Sequence, residues 1–151
     1  EGERRKMSIN YNGVEAYPVI QEEVVALNYI AQLDAQMYAQ EFKDFHATDW
    51  EVPQQISKNF SLTKRKQLFN DIKDDNVHDL IYYDAFGSRV QPELWGEEIF
   101  SIMFKALKSG GVLVTYAAKG SARRAMEAVG FTVERLAGPP GKREMLRARK
   151  L

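Results

Sequence analysis

Asp79-Leu80-Ile81-Tyr82-Tyr83-Asp84 is a short apolar and aromatic run closed by an acid, and after one loop Pro92 to Leu107 carries apolar residues at helical spacing. The first segment has the length and composition of a parallel strand buried on both faces. In the second, Pro92 suits a first helical position, and Phe100, Met103, Phe104 and Leu107 form one apolar face that Gly110-Gly111 is expected to stop. Val112 to Tyr116 then reads as another buried strand. Downstream, Ser121 is placed to cap a helix ending at Val129 with Gly130 as terminator. Phe131 to Leu136 is strand-like, and Gly138-Pro139-Pro140-Gly141 turns the chain into a last strand, Glu144 to Ala148.

Upstream, Ile9 to Val14 reads as a strand, closed by Pro18. Glu22 to about Asp44 predicts two helical pieces interrupted near Asn28-Tyr29, with Val24, Leu27, Leu33 and Met37 at turn spacing. After a turn from Trp50 to Pro53, Phe60 begins a strand ending near Gln67. The order β-α-α-β-β-α-β-α-β-β predicts an α/β fold, with an open, mostly parallel sheet, helices on both faces and a closing antiparallel hairpin.

Composition suits that fold. The chain has 151 residues, 44% of them apolar, with no cysteine and with 21 Lys and Arg against 21 Asp and Glu. One domain over residues 1–151 is expected, able to bury roughly 68–70% of its unfolded surface without a disulfide. No apolar run approaches the roughly 18 residues of a membrane span, and Glu1 to Lys6 is too charged for a targeting signal. A cytoplasmic protein is expected. His46 and His78 are far apart and lack a ligand pattern, so no metal is expected.

The balanced net charge conceals an asymmetry. Residues 1–50 carry 4 basic and 9 acidic side chains, whereas residues 119–151 carry 9 and 3. Such a basic block reads as an anion-facing surface, with nucleic acid the leading partner, or as a solvated face balancing the acidic half. In open α/β sheets ligands bind beyond the carboxyl ends of the strands, where Glu15 and Asp84 stand. A carboxylate there can accept both hydroxyls of a ribose, or serve as a turn residue.

Asp84-Ala85-Phe86-Gly87-Ser88-Arg89-Val90-Gln91-Pro92-Glu93-Leu94-Trp95 combines an acid, an aromatic, a glycine and a Pro-Glu-Leu-Trp helix start in one loop. It resembles the fourth motif of class I S-adenosylmethionine-dependent methyltransferases that act on amines. More narrowly, it is similar to the methyltransferases of the tRNA wobble-uridine pathway that complete 5-methylaminomethyl-2-thiouridine, whose loop reads Asp-x-Phe-x-Pro-x-x-x-Pro-(Asp/Glu)-(Met/Leu)-Trp. The likeness continues through Gly110 to Tyr116, Gly120 with Arg123-Arg124, Gly130-Phe131, and Gly141-Lys142-Arg143-Glu144-Met145-Leu146. Three departures stand out. Ser88 replaces the usual proline, and Lys66-Gln67-Leu68 stands where an acid is common. The family's first strand, with its Glu-x-Gly-Phe-Gly-x-Gly-x-Asn loop, is missing. Glu1 to Lys6 reads as the end of the helix after that loop, so an N-terminally incomplete domain is expected, its first strand supplied by another segment or chain.

The resemblance implies a class I, Rossmann-like methyltransferase fold and N-methylation of the aminomethyl group of a wobble uridine, with S-adenosyl-L-methionine as methyl donor and tRNA as partner. A monofunctional form is implied, since no oxidase domain fits in this length. Asp84 and Phe86 take the catalytic roles, the acid orienting the amine and the ring walling the transfer channel. Glu15 holds the cofactor ribose, Ala16, Tyr17 and Gln67 line the adenine side, and Asp84 with Ala85 borders the cofactor. Trp95 stacks on a base or packs the helix start. Lys119, Arg123, Arg124, Lys142 and Arg143 face tRNA phosphates, with at least one of the arginines expected to pair with Glu134 or Glu144. The alternatives are a small-molecule amine methyltransferase and a catalytically silent domain that binds RNA or a protein partner. An aminopropyl transferase would need more acids than this C-terminal block carries.

Overall fold

A computed structural model describes residues 4–138 and 140–151, so the readings of Glu1, Gly2, Glu3 and Pro139 lie outside the described residues. The chain groups into two units that meet in sequence between Leu68 and Phe69, each with its own sheet.

In the N-terminal unit, β1 (Ile9–Val14) leads to α1 (Gln21–Ala26), α2 (Tyr29–Gln32) and α3 (Ala39–Ala47), then to β2 (Gln54–Ser57) and β3 (Phe60–Arg65). β3 is central. β1 runs parallel to it, from Ile9 opposite Phe60 to Val14 opposite Arg65, and β2 lies antiparallel on its other side. Leu62 is buried, and Phe60 anchors one end through ring contacts to Tyr11 and Phe45 at 6.3 and 5.9 Å. β2 escapes a hydrophobicity reading because Gln54-Gln55-Ile56-Ser57 has one apolar residue; pairing with β3 makes it a strand.

The helical stretch breaks at Leu27-Asn28, as its sequence predicts, and again near Asp34. Asp34 has φ +50°, a left-handed conformation that Asp tolerates better than most side chains. The outcome is three short helices and a 3-10 turn at Gln36–Tyr38 in place of two pieces. Val24 and Leu27 are half-buried but Leu33 and Met37 are exposed, so the expected apolar stripe ends early. Arg4 to Lys6 form a turn with Lys6 at φ +55°, and the rest of the expected helix end, Glu1 to Glu3, lies outside the described residues.

The C-terminal unit contains β4 (His78–Tyr83), α4 (Glu97–Ala106), β5 (Leu107–Thr115), α5 (Gly120–Ala128), β6 (Thr132–Ala137) and β7 (Glu144–Arg149). Its sheet order is β4-β5-β7-β6: β5 is parallel to β4 and antiparallel to β7, and β6 closes as the hairpin partner of β7. The predicted Pro92 helix starts as a 3-10 turn, Pro92–Trp95, and is reset at Gly96, whose backbone is extended, before α4 proper. Ile99, Phe100, Met103 and Ala106 enter a core shared with Leu107, Leu113, Met126 and Leu146. Each large apolar side chain so buried contributes about 1.5–3 kcal/mol.

α5 ends as its sequence predicts. Gly130 has φ +107°, its N–H donates to Glu127 O, and the Phe131 N–H reaches back to Met126 O, each at 3.1 Å. This is a Schellman closure with its apolar Phe131 and Met126 both buried. The start differs from expectation. Lys119 is the N-cap, no side chain caps the first amides, and Ser121 lies inside the helix.

Nor do Gly110 and Gly111 stop α4. Leu107 is already extended and opens β5, and the glycines form an irregularity within that strand, between the His78–Leu107 and Leu80–Val112 pairs. Gly110 has φ +79°, and a Cβ on Gly111 would stand 2.8 Å from Lys108 O and 3.0 Å from Leu107 Cδ2. Gly111→Ala is therefore expected to cost about 2 kcal/mol, read as a lower urea midpoint. An unchanged midpoint would show that the bend yields freely.

Candidate active site

The site-bearing residues fall at the carboxyl ends of the parallel pairs, one set in each unit. In the N-terminal unit the Glu15 N–H donates to Arg65 O at 3.1 Å, extending the β1–β3 ladder by one step. That bond brings Glu15 to the end of β3, two residues before Gln67. The exposed Glu15 carboxylate accepts the Tyr17 N–H through Oε1 at 2.8 Å. A carboxylate has room for further donors, so its remaining acceptor sites suit a ribose diol. Ala16 is half-buried and Tyr17 is 79% exposed. Gln67 lies beside the Arg65 guanidinium, and with its amide turned over its oxygen would accept from Arg65 Nε and Nη2 at 3.2 and 3.0 Å.

In the C-terminal unit the site residues stand in the loop that leaves β4. Tyr83 and Ala85 are buried while Asp84 and Phe86 are exposed, so acid and aromatic project to the same side. Among the described residues the Asp84 carboxylate has no hydrogen-bond or ion-pair partner. The backbone below it is firmly held. Tyr116 Oη donates to Ala85 O and Trp95 Nε1 donates to Phe86 O, both at 2.7 Å, and Tyr83 Oη donates to Leu94 O. Gly87 O then accepts the Val90 and Gln91 N–H groups at 2.8 and 3.1 Å, closing the turn. Burial, followed by the neighbouring Tyr116, pushes the Tyr83 phenol well above its usual range, so it remains a neutral donor.

Trp95 takes the packing arm of its two readings. It is 5% exposed, edge-on to Tyr83 at 5.3 Å, Phe100 at 6.3 Å and Tyr116 at 6.0 Å. An indole so enclosed, with its N–H spent on Phe86, presents no face for a base to stack on.

The basic block divides into two groups. Arg147 Nε bonds Glu134 at 2.6 Å, Arg149 approaches the same carboxylate at 3.4 Å, and Arg135 pairs with Glu144 at 3.3 Å. The hydrogen bond from Arg147 is the main cause holding the Glu134 carboxyl below its usual range. Lys150 is spent on Leu107 O and Asn76 Oδ1. The arginines that meet Glu134 and Glu144 are thus the hairpin residues Arg135, Arg147 and Arg149, since side chains facing each other across β6 and β7 are neighbours; none of the three arginines assigned to phosphate does so.

The five assigned cations lie elsewhere. Lys119 and Arg124 are exposed at the start of α5, and Arg143 is exposed on the β6–β7 turn. Arg123 stands 3.8 Å from Glu127, and its buried Nε has no hydrogen-bond partner among the described residues. Lys142 places its ammonium 4.0 Å from the centroid of the Tyr116 ring. Tyr116 itself was given no role by the sequence reading. Its signal was positional: the residue after a strand end comes level with the loop leaving the adjacent parallel strand, and Thr115 is paired with Tyr83. Among the described residues no group of three His, Cys, Asp or Glu could hold a metal, and no helix is long and apolar enough to cross a membrane.

Comparison with known proteins gives the family and the fold. The family model described as S-adenosyl-L-methionine-dependent methyltransferase matches residues 34–151. The tRNA 5-methylaminomethyl-2-thiouridine biosynthesis bifunctional protein MnmC of Actinobacillus pleuropneumoniae is 38% identical over 71 residues, 47% of this chain and 11% of that protein. The protein of the same description from Aromatoleum aromaticum is 37% identical over 71 residues, with the same shares. The chain thus spans about a tenth of the length of these curated relatives. Among solved structures, MnmC2 from Aquifex aeolicus superposes with a TM-score of 0.66 at 19% identity, over 96% of this chain and 45% of that one. The methyltransferase SibL gives 0.54 at 11% identity, over 98% and 52%. At these identities the superpositions establish the class I methyltransferase fold.

Proposed function

Given that the chain belongs to the S-adenosyl-L-methionine-dependent methyltransferase family, we propose that it methylates the aminomethyl nitrogen of a modified wobble uridine in tRNA, in the cytoplasm. The observation that carries the reading is the loop after β4, where a free carboxylate and an exposed phenyl ring project together from a backbone pinned by Trp95 and Tyr116. Support for the RNA comes from the relatives' descriptions and from the five cations left outside the hairpin ion pairs.

S-adenosyl-L-methionine, when bound, supplies a methyl group on a sulfonium. By the family resemblance, Glu15 would hold its ribose with Ala16, Tyr17 and Gln67 toward its adenine, and in the C-terminal unit Asp84 and Ala85 would be the residues for its reactive end. In the transfer an N–C bond forms as the S–C bond breaks, and the nitrogen must lose one proton. A primary alkylamine is largely protonated at neutral pH, so Asp84 has two tasks: to orient the amine and to take its proton. Phe86 keeps water from the transfer line, and alignment at roughly 3 Å supplies most of the remaining rate. Residues 1–151 form parts of one methyltransferase domain in this reading.

The test is transfer of labelled methyl from S-adenosyl-L-methionine to tRNA bearing unmethylated aminomethyluridine, run beside a soluble alkylamine. Transfer to tRNA alone is expected, with affinity falling about 10²–10³-fold between 50 and 200 mM salt if all five cations meet phosphates. Arg143→Ala is expected to weaken tRNA binding and to lower the log–log salt slope by about one; an unchanged slope removes Arg143 from the RNA surface. Salt-insensitive transfer to the alkylamine would favour a small-molecule methyltransferase. Binding of tRNA without calorimetric binding of the methyl donor would make this a silent RNA-binding domain.

A further inference from the structure

We propose that Tyr116 is a positioning residue that sets the Asp84–Phe86 loop and the Lys142 ammonium in one geometry; the proposal rests on the reading of that loop as the place where the acceptor amine is held. β4 and β5 are in register up to Tyr83 opposite Thr115, and beyond this pair the ladder has no further backbone partner for the loop. Tyr116 replaces the missing rung with a side chain. Its hydroxyl takes Ala85 O at 2.7 Å, and Trp95 takes the next carbonyl, Phe86 O, at the same distance. The two donors are themselves packed edge to face, with centroids 6.0 Å apart at 82°.

Fixing two successive carbonyls, Ala85 O and Phe86 O, fixes the peptide planes on both sides of Phe86. The direction of the Phe86 side chain follows, and Asp84 is confined between the last ladder pair, Tyr83 with Thr115, and the anchored Ala85 carbonyl, although both side chains are exposed. The same tyrosine acts on a second element. Its ring seats the Lys142 ammonium at 4.0 Å, and the backbone of Lys142 is held closely: a Cβ on Gly138 would fall 2.4 Å from Lys142 O, and Gly138 N–H donates to Arg143 O at 3.2 Å. Tyr116 therefore ties the basic β6–β7 turn to the acid-bearing loop. A substrate anchored by its phosphate at Lys142 and Arg143 meets Asp84 at a distance that this one side chain sets.

Tyr116→Phe removes the hydroxyl and keeps the ring, whereas Tyr116→Leu removes both, and each is measured in the full chain by amide hydrogen exchange and by methyl transfer to the same tRNA. In Tyr116→Phe, exchange across residues 85–88 is expected to accelerate about tenfold and kcat to fall about tenfold, with the KM for tRNA and the calorimetric Kd of the methyl donor within about twofold of native. In Tyr116→Leu the KM for tRNA is expected to rise as well, and Lys142→Met, which leaves the tyrosine in place, is expected to raise KM without altering loop exchange. Native exchange in Tyr116→Phe overturns the proposal, as does faster exchange with native kcat while Asp84→Ala is inactive. Faster exchange with Asp84→Ala fully active overturns the acceptor reading of the loop, and the proposal with it.

Discussion

Asp84→Ala is expected to lower kcat for methyl transfer by about 10²–10⁴-fold, the range associated with a positioned acid or base, while leaving tRNA affinity within about twofold of native. The separation follows from geometry. Asp84 is exposed and has no partner among the described residues, so its removal leaves no buried group unsatisfied and opens no cavity. Stability should hardly change, and the five cations assigned to RNA are untouched. Asp84→Asn divides the two tasks of the carboxylate: the amide can still orient an amine through its oxygen but is far too weak a base to take a proton. If orientation dominates, the asparagine variant retains most activity; if proton acceptance dominates, it falls as far as alanine. Full activity in both variants would remove Asp84 from the reaction.

Trp95→Ala is expected to have the largest effect on stability, about 3–5 kcal/mol, as for large-to-small replacements of buried aromatics. The indole is 5% exposed, enclosed by Tyr83, Phe100 and Tyr116, and its N–H satisfies Phe86 O. Alanine would therefore leave a cavity at the start of α4 and release the loop carbonyl at once. Trp95→Phe separates these effects, since it retains much of the ring and loses only the donor; about 1 kcal/mol is expected. Urea midpoints of the two variants check the ordering. A Trp95→Ala protein within about 1 kcal/mol of native would mean that the indole is not part of the core.

Most of the C-terminal unit was legible because its residues obey local rules. An apolar run closed by an acid became β4, and Gly130 ended α5 with the positive φ and paired N–H bonds that its position required. Where the reading missed, a longer-range contact had prevailed. Gly110-Gly111 resembles a helix stop, but Leu107 is drawn into the sheet and the glycines absorb extra residues in β5. Ser121 resembles a cap, yet α5 begins two residues too early for it, with Lys119 in the N-cap position. β2 has almost no hydrophobic signal because cross-strand pairing with β3 defines it.

The candidate site divides in the same way. Asp84, Phe86, Glu15 and the basic residues were visible in the sequence, because acids at strand ends and clustered cations announce themselves by residue type and order. Burial decided Trp95, since an indole suits a base or a core equally well until its neighbours are known. Ion pairing across β6 and β7 decided which cations stay available, for Arg135, Arg147 and Arg149 differ from Arg143 only in what stands opposite them. The part of Tyr116 was beyond the sequence altogether: residues 85 and 116 are brought together by strand register, and a hydrogen bond between a side chain and a distant carbonyl leaves no periodic trace. Candidates marked by residue type and order were thus legible in the sequence alone, while the contacts that depend on a partner far along the chain were decided by tertiary structure, because strand register and burial leave no local trace.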